Sequence, residues 1–171
     1  MLRMFRRRRL VNDLRPPLAR DERIVAWAGA VGDSAVVATN LGLWLPGAAE
    51  RIGWHEIHKA TWSGRQLTVT AAATTGERPG YAVVEDLPPV TVTLLDPDRV
   101  PEQVRARVDR SVAASTHHPL PGGGGVRIVA RRVPGIDGLS WVARYDPGTA
   151  PADAVDELVA QAKAGIVGAG G

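Results

Sequence analysis

The densest grouping of chemically capable side chains is Trp54-His55-Glu56-Ile57-His58. Two imidazoles and a carboxylate are zinc-type ligands, but metalloprotease helices space their histidines by four so that both lie on one face. Here the spacing is three, in a segment expected to be strand-like or bulged. In a regular strand, positions 55 and 58 point to opposite faces. The segment therefore reads as a polar strand rim beside a packed Trp. His117-His118 falls at the expected end of a helix, where the dipole favours a cationic imidazole. Convergence of all four histidines on one ion stays open at this level. No metal ligand is assigned, and no cofactor is expected.

Other chemistries find little support. The chain has no cysteine, which excludes a thiolate metal site, a cysteine nucleophile and a disulfide scaffold. Ser34, Ser63, Ser111, Ser115 and Ser140 lack a Gly-x-Ser-x-Gly turn. Glu85-Asp86 precedes Leu87-Pro88-Pro89 and reads as a solvent-facing pair. Gly122-Gly123-Gly124-Gly125 lacks the following helix and Lys-Ser/Thr of a phosphate loop. It is expected to be a flexible hinge. An enzyme is not expected, and no catalytic residue is assigned.

Arginines carry the remaining signal. Arg127, Arg131, Arg132 and Arg144 cluster near Trp141 and Tyr145, a combination suited to stacking bases and neutralising phosphates. The competing expectation places Trp141, Ala143 and Tyr145 on one face against the last helix, with solvated arginines opposite. The four arginines are carried forward as a candidate surface for a protein partner or nucleic acid. A second group lies at the start of the chain, where Arg3, Arg6, Arg7, Arg8 and Arg9 follow Met1, Leu2, Met4 and Phe5. Residues 1–20 hold seven Arg and one Asp, whereas the other 151 hold 14 basic and 17 acidic residues. The net +3 thus combines a basic arm with a mildly acidic body. Arg3 and Arg6–Arg9 are the candidate binders of an anionic surface, where each Arg contributes on the order of 1 kcal/mol.

The elements that must position these residues are mostly strands. Short apolar runs cover residues 23–28, 35–39, 43–45, 51–62 (through a bulge), 67–70, 81–84 and 90–95. Ser-Gly, Asn-Leu-Gly and Pro-Gly punctuation separates them, as in an antiparallel barrel or sandwich. Residues 75–80 are expected to be a loop. Trp27, Trp44, Trp54 and Trp62 sit inside the runs and read as core and rim packing. Pro101 opens a helix expected to end near Thr116, with Val104, Val108 and Val112 four residues apart. Residues 126–133 and 139–145 form a hairpin, and Pro151 opens a last helix with Asp153, Asp156 and Glu157 early. The longest apolar stretch, Ile24–Val31, is far short of the roughly 20 residues of a transmembrane helix. No apolar h-region follows the arginines.

The succession Asp21-Glu22-Arg23-Ile24-Val25-Ala26-Trp27, Val36-Val37-Ala38-Thr39-Asn40-Leu41-Gly42-Leu43-Trp44, Arg51-Ile52, Ile57 and Leu67-Thr68-Val69 resembles bacterial pleckstrin-homology-like (PH-like) domains. The Arg-rich, Lys-poor, Ala-rich usage also resembles high-GC actinobacterial proteins. The resemblance covers roughly residues 21–116. It implies a bent, partly open, seven-stranded antiparallel barrel capped by one helix, here the helix after Pro101.

The expected class is α+β, mainly β. A basic arm (1–20) precedes a PH-like domain (21–118) and a ββα extension (119–171). The expected function is non-catalytic binding or scaffolding of a protein partner, with the arm on an anionic membrane surface. The alternative is an RNA- or nucleoprotein-binding accessory protein using the arm and the C-terminal hairpin. A cytoplasmic location is expected, peripheral at the inner face of the membrane where the arm binds an anionic surface.

Overall fold

A computed structural model describes residues 9–168. Eleven strands and two helices are seen among them: β1 (Ile24–Ala30), β2 (Ser34–Thr39), β3 (Gly42–Trp44), β4 (Ile52–Gly53), β5 (Ile57–Ser63), β6 (Gln66–Arg78), β7 (Tyr81–Asp86), β8 (Val90–Thr93), α1 (Val100–Ser111), β9 (Val112–Pro119), β10 (Gly125–Arg132), β11 (Leu139–Tyr145) and α2 (Ala154–Gly168). The architecture is mainly β.

β1 to β4 form one antiparallel sheet in sequential order. The Ala30–Leu94 bridge joins its β1 edge to the end of β8, with Val31 N–H donating to Thr93 O at 3.1 Å and Leu95 N–H to Gly29 O at 2.9 Å. β8 pairs with β6, and β6 with β5, so the chain curls into a half-barrel. Helix α1 closes it. Val100, Val104 and Val108 recur at the helical repeat and are buried against Val36, Leu43, Trp54, Ile57, Leu67 and Leu94.

β6 is the connecting element. Its first half belongs to the half-barrel, and its second half pairs with β7. β7 and β8 face β6 in one nearly continuous register, carried across the break by Leu87 N–H to Ala71 O at 2.8 Å. Pro88 and Pro89 lack the N–H needed to continue the ladder, so the strand is interrupted there. β7 then pairs in parallel with β11, which pairs with β10, which pairs with β9.

Three expectations are corrected here. Residues 75–78 belong to β6 rather than a loop, and Pro79-Gly80 alone makes the turn, with Gly80 at φ +83°. Helix α1 stops at Ser111 rather than near Thr116, and His117-His118 lies on strand β9. Local propensity at Ala113-Ala114 suits a helix, but β10 offers a partner from Ala114 to Pro119, and tertiary pairing prevails. Gly122–Gly124 lie in a tight turn rather than a flexible hinge, and Gly125 opens β10. Leu120 N–H donates to Gly124 O at 3.0 Å, and Leu120 itself is buried. Gly124 sits at φ +71°, and an added Cβ would lie 2.1 Å from Thr149 Oγ1.

Helix α2 covers the outer face of this second sheet. Val155 and Val159 pack on Val126, Ile128 and Ala143, with Trp141 and Tyr145 partly buried beside them. Asp156 clasps the β6–β7 turn, accepting from Arg78 Nε at 3.1 Å and Tyr81 Oη at 2.5 Å. Burial first, and then the bond to Asp156, push the Tyr81 phenol up to about 12. Absorbance titration at alkaline pH is expected to show this late ionisation, and Asp156→Ala to bring it down. An unmoved titration in the variant would contradict the clasp.

Residues 10–20 are not a free arm. A single 3-10 turn spans Asn12–Leu14, and Leu10, Leu14 and Leu18 pack on Ala35, Val37 and Trp44 of the convex face of the first sheet. Pro16-Pro17 keeps the segment extended, and the alternating apolar side chains of β2 give it a seat. Among the described residues, no helix is long and apolar enough to cross a membrane.

Candidate functional site

Two buried charged side chains dominate the interior, and they differ in how well they are satisfied. Glu22 is the satisfied one. Its carboxylate accepts from Thr39 Oγ1 at 2.6 Å, Trp44 Nε1 at 3.0 Å, Ala19 N–H at 3.0 Å and Arg51 Nη1 at 2.7 Å. Asn40 holds the same strand from beside it, donating to Asp21 O at 3.1 Å and accepting from Arg23 N–H at 2.7 Å. Burial alone raises the Glu22 carboxyl, but the Thr39, Ala19, Trp44 and Arg51 contacts outweigh it and hold the group below its ordinary value. The residues that carry the PH-like resemblance thus meet at one structural joint. All of the carboxylate's partners are internal.

Arg131 is the unsatisfied one. It is only 6% exposed, and two of its nitrogens are engaged: Nη1 with Ser111 Oγ at 2.8 Å and Nη2 with Ile57 O at 3.3 Å. Its Nε is buried without a partner. Among the described residues, no carboxylate lies within ion-pair distance of it.

Arg131 lines a cavity of about 430 Å³ between the half-barrel and the second sheet. Arg144 lines it too. Its Nη1 lies 3.1 Å from Asp86 Oδ1 but off the N–H direction, so the contact is Coulombic and the nitrogen has no hydrogen bond. His55 completes the set, with a buried Nδ1 that also lacks a partner. Among the described residues these are the three buried side-chain nitrogens or oxygens without a hydrogen bond; each is closed to water, and the residues that carry them all line this cavity. Such groups are uncommon, because an unmet buried donor costs about 1–3 kcal/mol and more when charged.

Local structure explains the convergence. The Trp54 indole enters the core and donates to Thr39 O at 3.0 Å, fixing the 3-10 turn Trp54–Glu56. Gly53 permits that turn, because a Cβ there would meet the His55 ring at 2.5 Å. On β10, positions 127, 129 and 131 share a face, and Arg144 stands opposite Arg127 on β11. That face turns toward the half-barrel, while Ile128, Ala143 and Trp141 turn toward α2.

The electrostatics follow the same arrangement. Burial first, and then Arg131, lower the His55 imidazole, with Glu56 opposing. Burial and then Arg144 lower His58, although Asp86 bonds its Nδ1 at 3.1 Å. Arg131 is lowered by burial and by Arg144. The inner wall of the cavity thus holds one buried guanidinium, Arg131, with no carboxylate partner, while Glu50 and Glu56 stand at its exposed rim.

The four hairpin arginines therefore do not form one outward surface. Arg131 and Arg144 line the cavity, Arg127 donates to Ser115 Oγ at 3.1 Å, and Arg132 donates to Arg110 O at 2.8 Å. Arg132 lies instead with Arg107 and Arg110 in a second recess of about 230 Å³. Of the first arginine group, Arg9 is exposed, and Arg3, Arg6, Arg7 and Arg8 lie outside the described residues. His117 pairs with Asp146 at 2.8 Å, and no three metal-ligating side chains come together among the described residues. His55 was weighed only as a metal ligand, and its signal as an anion-site residue depends on contacts far apart in sequence.

No family model matches the chain, and neither a curated protein nor a solved structure matches it.

Proposed function

We propose that the chain is a non-catalytic binding module on a PH-like half-barrel, which takes up an anionic group of its ligand in the cavity between the two sheets. The observation that carries this is that Arg131, buried and with no carboxylate partner among the described residues, lines one cavity together with Arg144 and His55. The PH-like part is supported by element order, in which β1–β6 and β8 precede a helix that plugs the curled sheet. Thermal melts in sodium acetate or sodium phosphate, at ionic strength fixed with sodium chloride, test the anion site. A ligand at one hundred times its Kd stabilises by about 2.7 kcal/mol, a rise of roughly 5–10 °C for a chain of this size. A saturable rise with at least one of these anions supports the reading. Melts that do not respond to either anion sink it.

The same proposal places Arg3 and Arg6–Arg9 on an anionic surface. The four hairpin arginines have internal contacts, so the nucleic-acid alternative rests on the arm. Deleting residues 1–20 would also strip the Leu10-Leu14-Leu18 strap, so charge removal is the cleaner variant. Replacing Arg3, Arg6, Arg7 and Arg8 with Gln is expected to weaken pelleting with phosphatidylserine vesicles more than tenfold, at on the order of 1 kcal/mol per Arg. Equal pelleting of both forms would rule out the membrane role.

A further inference from the structure

We infer that the recess between α1 and the β10–β11 hairpin is a second anion site, which takes a phosphate dianion, free or on a small organic body. It is separate from the cavity of Arg131 and does not rest on that reading.

Charge is the first argument. Arg107, Arg110 and Arg132 line this recess with Asn40, Trp54 and Ser111, and no acidic residue lines it. Among the described residues no carboxylate, including those of Asp21 and Asp137 on the adjoining turns, lies within ion-pair distance of the three. Helix geometry explains the segregation. At about 3.6 residues per turn, Gln103, Arg107 and Arg110 fall on one side of the buried Val100-Val104-Val108 stripe, and Glu102 and Asp109 on the other. Burial, then Arg110 and then Arg23, lower the Arg107 guanidinium, so its charged neighbours are cations. The negative end of the α1 dipole amounts to about half a charge, which one arginine more than offsets. The other two arginines are left uncompensated, a match for the charge of about −1.5 to −2 that a phosphomonoester carries at neutral pH.

Donor supply is the second argument. Arg107 and Arg110 are each held through Nε, donating to Gln103 Oε1 at 3.1 Å and to Ala106 O at 3.3 Å. Arg132 is held through Nη1, which donates to Arg110 O at 2.8 Å and Val112 O at 3.3 Å. These bonds fix the three side chains and leave their other guanidinium N–H groups for a ligand. Arg110 and Arg132 are exposed and Arg107 is half-buried, so the site is reached from solvent. Guanidinium groups bind phosphoryl oxygens through paired N–H donors. Three of them suit the three terminal oxygens of a phosphomonoester, whereas a carboxylate or a phosphodiester offers two oxygens and one charge. Size is the third argument. A volume of about 230 Å³ is below that of pockets for drug-sized ligands, so the recess holds a phosphoryl group and the few atoms next to it.

Calorimetric titration of the full chain at fixed ionic strength tests this with three probes: glycerol 3-phosphate, inorganic phosphate and dimethyl phosphate. Glycerol 3-phosphate or inorganic phosphate is expected to bind saturably. Dimethyl phosphate, a diester with one charge, is expected to bind at least tenfold more weakly. Tighter binding of glycerol 3-phosphate points to an organic phosphomonoester as the source, and tighter binding of inorganic phosphate to the free ion. Arg107→Gln and, separately, Arg110→Gln should each weaken the preferred dianion at least tenfold while remaining folded by circular dichroism. Dimethyl phosphate binding as tightly as the dianions overturns the dianion class. Phosphate binding that Arg131→Met abolishes and neither recess variant weakens lies in the cavity and overturns the recess. Absence of saturable binding by glycerol 3-phosphate and phosphate alike overturns the recess and leaves the cavity to be decided by acetate.

Discussion

Glu22→Ala is expected to lower the melting temperature by roughly 10 °C. Removing one partner of a buried, hydrogen-bonded charge pair costs about 3–5 kcal/mol, and each kcal/mol is worth about 2–4 °C in a chain of this length. The side chain of Glu22 is fully buried, and its loss leaves the Trp44 indole, the Thr39 hydroxyl and the Arg51 guanidinium without their shared acceptor. The effect has a pH signature. Because the folded-state value lies below the ordinary 4.5, the ionised carboxylate stabilises the fold above that pH. The contribution falls away as pH drops through the folded value. Glu22→Gln should therefore differ from the parent near neutral pH and converge with it in acid. A difference that stays constant from pH 7 to pH 3 would contradict the linkage.

Arg131→Met is expected to cost far less than Glu22→Ala without ligand. The substitution removes two hydrogen bonds, each worth about 1.5–3 kcal/mol when one partner is charged. It also removes a buried guanidinium with a like-charged neighbour and an unmet Nε, a penalty of several kcal/mol. Ser111 keeps its bond to Val108 O at 2.6 Å, so its hydroxyl is not orphaned. The variant should melt within a few degrees of the parent or above it, and it should lose any rise in melting temperature caused by acetate or phosphate in the cavity. Two buried charges in one fold thus differ in what their removal costs. Internal partners satisfy Glu22, while Arg131 has two neutral partners and no carboxylate among the described residues. A collapse of Arg131→Met comparable to that of Glu22→Ala would mark Arg131 as a purely structural cation.

Much of the half-barrel was legible because its strands are short, apolar and separated by turn residues. Val104 and Val108, with Pro101 ahead of them, announced the helix that closes it. The end of that helix was not legible. Val112 continues the four-residue repeat, and only pairing with β10, whose strand starts more than ten residues later, draws Val112–Pro119 into a strand. The full length of β6 was hidden for a similar reason, since Thr74–Arg78 has loop-like composition but a partner in β7. The Leu10-Leu14-Leu18 spacing was visible, but its seat on Trp44 was not.

The site was legible in its residues and not in its assembly. Arg131 and Arg144 stood out as strand arginines, and their shared face with Arg127 followed from strand alternation. Burial of that face depends on the parallel β7–β11 contact, which joins segments about sixty residues apart and leaves no local pattern. His55 enters the cavity only because Trp54 is pinned in the core.

The central claim is that Arg131, a buried cation with no carboxylate partner among the described residues, meets the anionic group of the ligand. Arginine Nε–H resonances report this atom by atom. In a ¹⁵N-resolved spectrum of the full chain, the signal lost in Arg131→Met identifies Arg131. Titration with sodium acetate or sodium phosphate at fixed ionic strength should shift that signal saturably, while the signal of exposed Arg9 stays in place. An Arg131 signal that does not move, or one that moves only in step with Arg9, contradicts the account.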